Sequence, residues 1–333
     1  PTRRSSDLQK NPADFATYVT LFPQLIAGPI VRYATIEQQL STRTHSFDDF
    51  AAGARRLIIG LAKKILIANV LANLGEAFRL SNDKSVLFYW LYYTALILQL
   101  YFDFSAYSDM AIGMGRIFGF HFLENFNYPL ISKSATEFWR RWHISLGSWL
   151  RDYIYIPMGG NRCSKGRWIL NIAVVWLFTG LWHGAGWNFV LWGIYFAIVL
   201  VAEKWFLAKV LDKMPAVLRH VYFYVMILIS FALFDGSSAT AVFADLKTMA
   251  GLASLPFASL ETWYYLRSYA VILLLAAFGA TPFPRMFWQR SLASAKLARI
   301  VHTLEPLYLI LLLLSATAFL VDGSFNPFLY FRF

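Results

Sequence analysis

The sequence predicts an all-α, polytopic helical membrane protein, and three observations carry that prediction. Of 333 residues, 58% are hydrophobic, 18% aromatic and only 15% charged, and the mean hydropathy is +0.49. Soluble domains run at about 45–50% apolar and about 25% charged, so the apolar excess has no water-soluble core to fill. The apolar residues also gather in runs long enough to cross a bilayer, which takes about 20 residues per helix. Finally, the Lys and Arg behind a net charge of +11 cluster between those runs, as loop charges rather than as a face for nucleic acid. Cys163 is the single cysteine, which leaves no internal disulfide framework and no cysteine-based zinc site.

Pro1–Leu8 has no initiating methionine and no charged-then-apolar leader, and it reads like the translation of a sequencing adapter. Residues 9–333 form one membrane domain, which is expected to lack N-terminal helices of the native protein. Leu21–Arg32 sets Pro23, Gly28 and Pro29 in an apolar stretch; such broken backbone is tolerated at membrane depth where protein buries it. Segment 54–78 is amphipathic, with Arg55, Arg56, Lys63 and Lys64, and is expected to lie at the interface or to cross imperfectly. Spans are expected at 86–102, 169–183, 187–202, 218–234, 265–281 and 304–321. Stretch 104–122 carries Asp109 and Arg116, so it is either a span lined with polar groups or a re-entrant segment.

Loop charges orient the spans. Arg162, Lys165 and Arg167 precede one span; Lys204, Lys209, Lys213 and Arg219 follow the next; Arg285, Arg290, Lys296 and Arg299 precede the last. The intervening connections, 184–186 and 235–262, are short or weakly charged. By the positive-inside rule the basic loops are cytoplasmic, which puts the Trp182-His183-Gly184 turn and the ending Phe325–Phe333 toward the outer side.

Segment 134–153 opens with a capping-box pattern, Ser134 with Glu137 three residues on. Read as one helix, it gathers Trp139, Trp142, Leu146, Trp149, Leu150 and Tyr153 into an apolar stripe. Arg140, Arg141, Ser145, Ser148, Arg151 and Asp152 fall opposite, and His143 falls on the aromatic side. This is the pattern of an interfacial or cavity-flanking helix.

Ionisable groups at membrane depth are functional-site hypotheses by default. His183 ends an almost wholly apolar run, with Thr179 one turn behind and Gly184-Ala185-Gly186 after it. Imidazole titrates near neutrality and can take a proton from a hydroxyl nucleophile; a histidine hydrogen-bonded between helices is the other reading. His143 is either a satisfied histidine in an amphipathic helix or a second group converging on the first. Within Tyr101–Asp109, the helical period puts Asp103 with Tyr107 on one face and Ser105 with Asp109 on another. Those carboxylates need partners, which Arg116, Arg140, Arg141 or Arg151 could supply; alternatively the run lines a wet cavity for a sugar or nucleotide. There is no Gly-x-Ser-x-Gly elbow, no His-Glu-x-x-His, no Walker-type phosphate loop and no His-x₄-Asp pair.

Five stretches in this order resemble the membrane-bound O-acyltransferase (MBOAT) family, in its bacterial alginate O-acetylase-like branch. They are Phe22–Arg32, Tyr101–Asp109, Phe138–Leu146 with Trp149–Tyr153, Leu181–Gly184, and Phe325–Phe333. The resemblance implies a funnel of transmembrane helices with re-entrant and interfacial segments, and acyl transfer in a passage through the bilayer. It maps the invariant catalytic histidine onto His183 and the second characteristic histidine onto His143. The expected activity is O-acetylation of an exported polysaccharide such as alginate, by a multi-pass protein of the bacterial inner membrane. No cofactor is expected to be bound; acetyl-CoA is the expected acyl thioester donor, and a periplasmic acetyl-carrier or acetyltransferase protein and membrane lipids are the expected partners. In this scheme His183 is the base and His143 orients acceptor or donor. Arg140, Arg141 and Arg151 attract donor phosphates or lipid headgroups. Asn188 or the amides of Gly184–Gly186 stabilise the oxyanion, and Trp182, Asp103, Ser105, Tyr107 and Asp109 complete the substrate-binding set. Teichoic acid or peptidoglycan as acceptor, and a non-catalytic transporter or export subunit, are the competing expectations.

Overall fold

A computed structural model describes residues 11–25 and 28–322. The expectations for Pro1–Leu8 and for the ending Phe325–Phe333 fall outside the described residues. Every regular element among those described is helical. Helix α1 (Pro12–Thr20) starts on the Asn11 side chain, which accepts the Ala13 N–H, with proline at the first helical position. A 3-10 turn at Phe22–Gln24 and helix α2 (Tyr33–Thr42) flank the proline-broken stretch.

Helix α3 (Phe47–Leu80) contains the amphipathic stretch 54–78. It is one 34-residue element of spanning length and apolarity, with a π-helical turn at Lys63–Ala68. Ser46 caps it, and Asp48 and Asp49 sit at its positive end. Arg56, Lys63 and Lys64 each meet a carboxylate of the next helix. That helix, α4 (Val86–Ile117), has 32 residues and is about 48 Å long. It fuses the predicted 86–102 with residues 104–117 of the following stretch into one rod, so Asp109 and Arg116 lie on a continuous helix, and 118–122 follow its end. Gly53 and Gly113 let the two backbones touch: a Cβ on Gly53 would sit 2.6 Å from the Gly113 carbonyl.

Segment 134–153 is not one helix. Helix α5 (Ala135–Trp139) stops after five residues, the chain turns, and helix α6 (Ile144–Leu150) restarts after His143, running into a π-helical turn at Arg151–Tyr155. The Ser134 side chain accepts the Glu137 N–H as expected, but the Glu137 carboxylate reaches back to the Lys133 N–H rather than to the cap. With the break, the predicted stripe divides: Trp142, Leu146 and Leu150 are buried, Trp149 and Tyr153 are exposed, and Ser145 from the predicted polar face is buried.

Helices α7 (Lys165–His183) and α8 (Trp187–Leu211) form a hairpin. They approach closely because a Cβ on Gly180 would collide with the Phe189 carbonyl. Helix α9 (Ala216–Asp235) follows, then α10 (Ala239–Met249), α11 (Leu260–Gly279), α12 (Phe283–Ala293) and α13 (Ala295–Asp322). Among the described residues, α3, α8, α9 and α13 are long and apolar enough to cross a membrane, and α11 with α12, bent by 64°, is either a broken fifth span or a re-entrant loop. Helices α4 and α7 are of spanning length and pack along α3 and α8, with the aromatic and polar groups of the site on them. The Val86 and Leu87 N–H groups donate to the Pro256 and Phe257 carbonyls, which fixes the start of α4 at the end where the 235–262 connection lies.

Large apolar side chains face outward on α11 and α13, among them Val271, Leu274 and Leu314. A contiguous surface of that kind requires an apolar solvent, and the molecule is a multi-pass membrane protein. Inside, Trp139, Trp176, Trp192 and Phe196 pack ring against ring at 4.7–5.8 Å, holding α5 against the α7–α8 hairpin.

Candidate active site

The site forms where α4, the α5–α6 break and the end of α7 meet. Residues at i and i+4 of a helix share a face, and α4 follows that rule. Asp103 and Tyr107 line one cavity together with His143 and His183. Ser105 and Asp109 line a second, with Arg56, Lys63 and Glu124.

His183 is the last residue of α7. Gly184 leaves the helix at φ +155, and a Cβ there would stand 2.6 Å from the Phe189 ring, so glycine is required both by the turn and by the close ring. The turn brings α8 back and encloses the imidazole between Trp182, Trp192 and Phe234, with ring centroids 5.0, 5.1 and 5.2 Å away.

His143 is placed differently from the sequence expectation. It caps α6 rather than lying within a helix, with φ +45. A non-glycine residue in the left-handed region costs about 1–3 kcal/mol and persists only where its surroundings enforce it. Here Asn125 enforces it. The Asn125 carbonyl accepts the Ile144 N–H at 3.0 Å, and its Oδ1 accepts the Ser145 N–H at 3.1 Å and the Ser145 hydroxyl at 2.9 Å. The same Oδ1 stands 3.2 Å from His143 Nδ1, while Nδ2 donates to the Ser108 hydroxyl on α4. The Phe104 ring meets the imidazole edge-on at 4.7 Å, and Trp182, at 5.9 Å, stands next to both histidines. The two imidazoles thus line one narrow cavity of about 60 Å³ walled almost entirely by aromatic and aliphatic groups.

The carboxylates find partners other than those expected from the sequence. Asp103 pairs with Lys64 at 2.6 Å, and Asp109 with Arg56 and Lys63 at 2.8 Å each. Arg116 pairs instead with Asp49, Arg141 with Glu137 and Arg151 with Asp152. The cause is geometric: α3 lies along the polar faces of α4, whereas these arginines sit on other elements or at the helix end. Asn188 donates to the Phe234 carbonyl at 3.0 Å, tying α8 to α9.

Further cavities share walls with the one between the histidines. At the end of the basic loops, a cavity of about 660 Å³ carries Lys133, Arg140, Lys204 and Arg219 together with Glu137, Glu203 and Asp212. It has Thr136, Arg140 and Tyr155 in common with a cavity of about 500 Å³ that reaches Arg151 and His143. At the opposite end, a cavity of about 370 Å³ holds Glu76, Arg79, Tyr92, Gln99 and Asp235 and shares Leu100, Phe231 and Phe234 with the histidine cavity.

A family model described as MBOAT, membrane-bound O-acyltransferase family, matches residues 6–241. The chain belongs to the membrane-bound O-acyltransferase family. This membrane-bound O-acyltransferase is 37% identical over 366 residues to the protein named "Probable alginate O-acetylase AlgI" of Azotobacter vinelandii, covering 99% of the chain and 72% of that protein. To the protein of the same name from Pseudomonas putida it is 37% identical over 356 residues, 99% of the chain and 71% of that protein. To the "Peptidoglycan O-acetyltransferase" of Helicobacter pylori it is 36% identical over 246 residues, 72% of the chain and 47% of that protein.

Three residues of this O-acyltransferase's site escape sequence reasoning. Lys64 reads as one more base on an amphipathic segment. Asn125 reads as a turn former ahead of Pro129. Glu203, only 2% exposed, sits among loop lysines in the sequence. Its carboxylate accepts from the Ala135 and Thr136 N–H groups, the Thr136 hydroxyl and the Tyr222 hydroxyl, and so holds the start of α5 in place. The only sequence signal is a lone acidic residue at the end of a span.

Proposed function

We propose that this chain transfers an acetyl group from a cytoplasmic acyl thioester, acetyl-CoA, to a hydroxyl of an exported polysaccharide such as alginate, directly or through a periplasmic acetyl-carrier or acetyltransferase protein, in the bacterial inner membrane. The observation that carries this reading is the narrow waist between His143 and His183, with a basic cavity on one side and a carboxylate- and amide-lined cavity on the other. The resemblance of both histidines to the family's pair and the names of the alginate O-acetylase relatives support it.

The basic end, by its loop charges, faces the cytoplasm. Lys133, Arg140 and Arg219 there suit the phosphates of a nucleotide-bearing thioester, with Arg151 further along the same path. The acyl group passes inward and presents its carbonyl carbon at the waist. The acceptor hydroxyl arrives from the opposite cavity. Its oxygen bonds to that carbon while its proton passes to His183. The tetrahedral oxyanion takes hydrogen bonds from the Gly186 N–H and the second Asn188 amide hydrogen. The carbon–sulfur bond then breaks, the thiolate recovers the proton from His183, and ester and thiol leave by opposite mouths. Aromatic walls keep water, the competing acceptor, out of the waist. Asp103 and Tyr107 shape its wall, Trp182 packs beside both histidines, and Ser105 and Asp109 line the adjoining cytoplasmic cavity.

The test is ester-linked acetate on the exopolysaccharide of a host lacking its own gene, complemented with the full-length gene. Return of acetate supports the reading. Unchanged exopolysaccharide with acetate or D-alanine newly esterified to peptidoglycan or teichoic acid moves the acceptor to the wall. No new ester anywhere overturns it.

A further inference from the structure

Asn125 is fully buried, and its amide does more than hold the turn at His143. A backbone N–H can only donate, so the Ser145 N–H at 3.1 Å requires the atom facing it to be Oδ1 and not Nδ2. That oxygen carries no hydrogen, and His143 Nδ1 lies 3.2 Å from it. The Ser145 hydroxyl, 3.4 Å from the same nitrogen, makes its shorter bond as donor to Oδ1 at 2.9 Å, so the hydrogen between Nδ1 and Oδ1 is assigned to Nδ1. A neutral imidazole protonated at Nδ1 has its lone pair on Nε2. The Nδ1 edge is turned to Asn125, and the ring lines both the cavity shared with His183 and the one that reaches Arg151.

We propose that Asn125 is a positioning residue for acyl transfer: it locks His143 in the Nδ1–H tautomer, so that Nε2 enters the cavity as a hydrogen-bond acceptor. The acceptor has a use. Once His183 has taken the hydroxyl proton it is an imidazolium with two N–H donors, enclosed by aromatic rings that accept poorly. The other polar groups on the cavity are engaged: Asp103 with Lys64, the Tyr107 hydroxyl as donor to the Leu25 carbonyl, and the Ser230 hydroxyl as donor to the Ile227 carbonyl. His143 Nε2 accepts from the imidazolium, directly or across one water, and holds it until the thiolate reclaims the proton. For that, His143 must stay neutral through the cycle.

The tautomer stands on geometry alone; its kinetic consequence rests on the acyl-transfer reading, and the two are tested apart. In full-length protein labelled with ¹⁵N-histidine and embedded in lipid nanodiscs, the His143 resonances are expected to show hydrogen on Nδ1 and a bare Nε2. Hydrogen on Nε2, or an even mixture, overturns the proposal. For the kinetics, Asn125→Asp keeps the three contacts at Oδ1 and lets the Ser108 hydroxyl donate to Oδ2, but sets a carboxylate beside His143. Of the other charges around this ring, His183 on α7, the Asp103–Lys64 pair on α4 and α3, and Arg140 and Arg151 beside α6 are unchanged by it. His143 then protonates at higher pH, and the acid limb of kcat is expected to move up by about one unit or more. Asn125→Leu, which can accept nothing, is expected to lose about 10²-fold in kcat at equal protein. An N125D profile superimposed on wild type, or an N125L variant with wild-type kcat, overturns the proposal. If the wild-type protein shows the Nδ1–H spectrum but esterifies no hydroxyl, the tautomer assignment stands and the acyl-transfer reading is what fails.

Discussion

Removing the Lys64 ammonium is expected to destabilise the protein more than any other single change to the wall of the site. Lys64 and Asp103 are 5% and 3% exposed and 2.6 Å apart, joining the π-helical turn of α3 to the face of α4 that lines the histidine cavity. Lys64→Met leaves a buried carboxylate without its cation, which costs about 3–5 kcal/mol. Asp103→Asn leaves an ammonium beside an amide oxygen that can still accept from it, a milder loss of about 1–3 kcal/mol. The double variant holds no charge at all and is expected to lose about 1–3 kcal/mol, no more than Asn alone. Simple addition would give about 4–8 kcal/mol, so the cycle predicts a coupling at or above the upper end for contacting residues. Unfolding of the three variants in detergent, followed by tryptophan fluorescence, reads it. That coupling equals the whole Lys64→Met loss, about 3–5 kcal/mol, and it should survive high salt, because a pair this buried is poorly screened. Losses that add to within about 0.5 kcal/mol would refute the pairing as the element that fixes α3 against α4.

Three further outcomes follow from the same structure. Gly184→Ala puts a Cβ into the Phe189 ring and strains φ +155; a displacement of His183 by about 1 Å is expected to lower kcat by about 10²-fold, measured as ester formed per mole of purified protein. Glu203→Gln turns an amide donor toward N–H groups that need an acceptor, and a lower thermal stability by about 1.5–3 kcal/mol is expected, read by detergent-phase melting. The Asp152 carboxyl is held down to about 2, by Arg151 first and Arg32 second. Because that lies below the ordinary value of about 3.9, its support for the docking of Arg32 is complete above pH 4 and lost as pH falls toward 2. Side-chain carboxyl NMR across that window checks the titration, and Asp152→Asn should abolish the pH dependence of amide protection factors, corrected for intrinsic exchange, around Arg32.

Much of this arrangement is legible in the sequence, and its limits have physical causes. The all-α membrane class follows from composition, and the hairpin ending at His183 follows from an apolar run closed by Gly184-Ala185-Gly186. The division of Asp103 and Tyr107 from Ser105 and Asp109 follows from helical period alone. What periodicity cannot supply is the partner across space. Arg116, Arg141 and Arg151 are near the carboxylates in chain order or on a helical projection, yet Lys64, Lys63 and Arg56 hold them, because α3 runs along α4 through the Gly53–Gly113 contact. The break in 134–153 is equally hidden. Trp139 through Tyr153 satisfy a helical stripe, and only the long-range hold of Asn125 on Ile144, Ser145 and His143 explains why the chain interrupts it.

The central claim is that His183 takes the proton of the attacking hydroxyl. The most direct measurement is ester formation by the full-length protein, wild type against His183→Gln, in liposomes loaded with an acyl thioester on the basic-loop side, with folding checked by matched tryptophan fluorescence. The account predicts rapid wild-type transfer and, for the glutamine variant, a rate lower by about 10²–10⁴-fold at equal folded protein. A folded His183→Gln protein that transfers acetyl at the wild-type rate would contradict it.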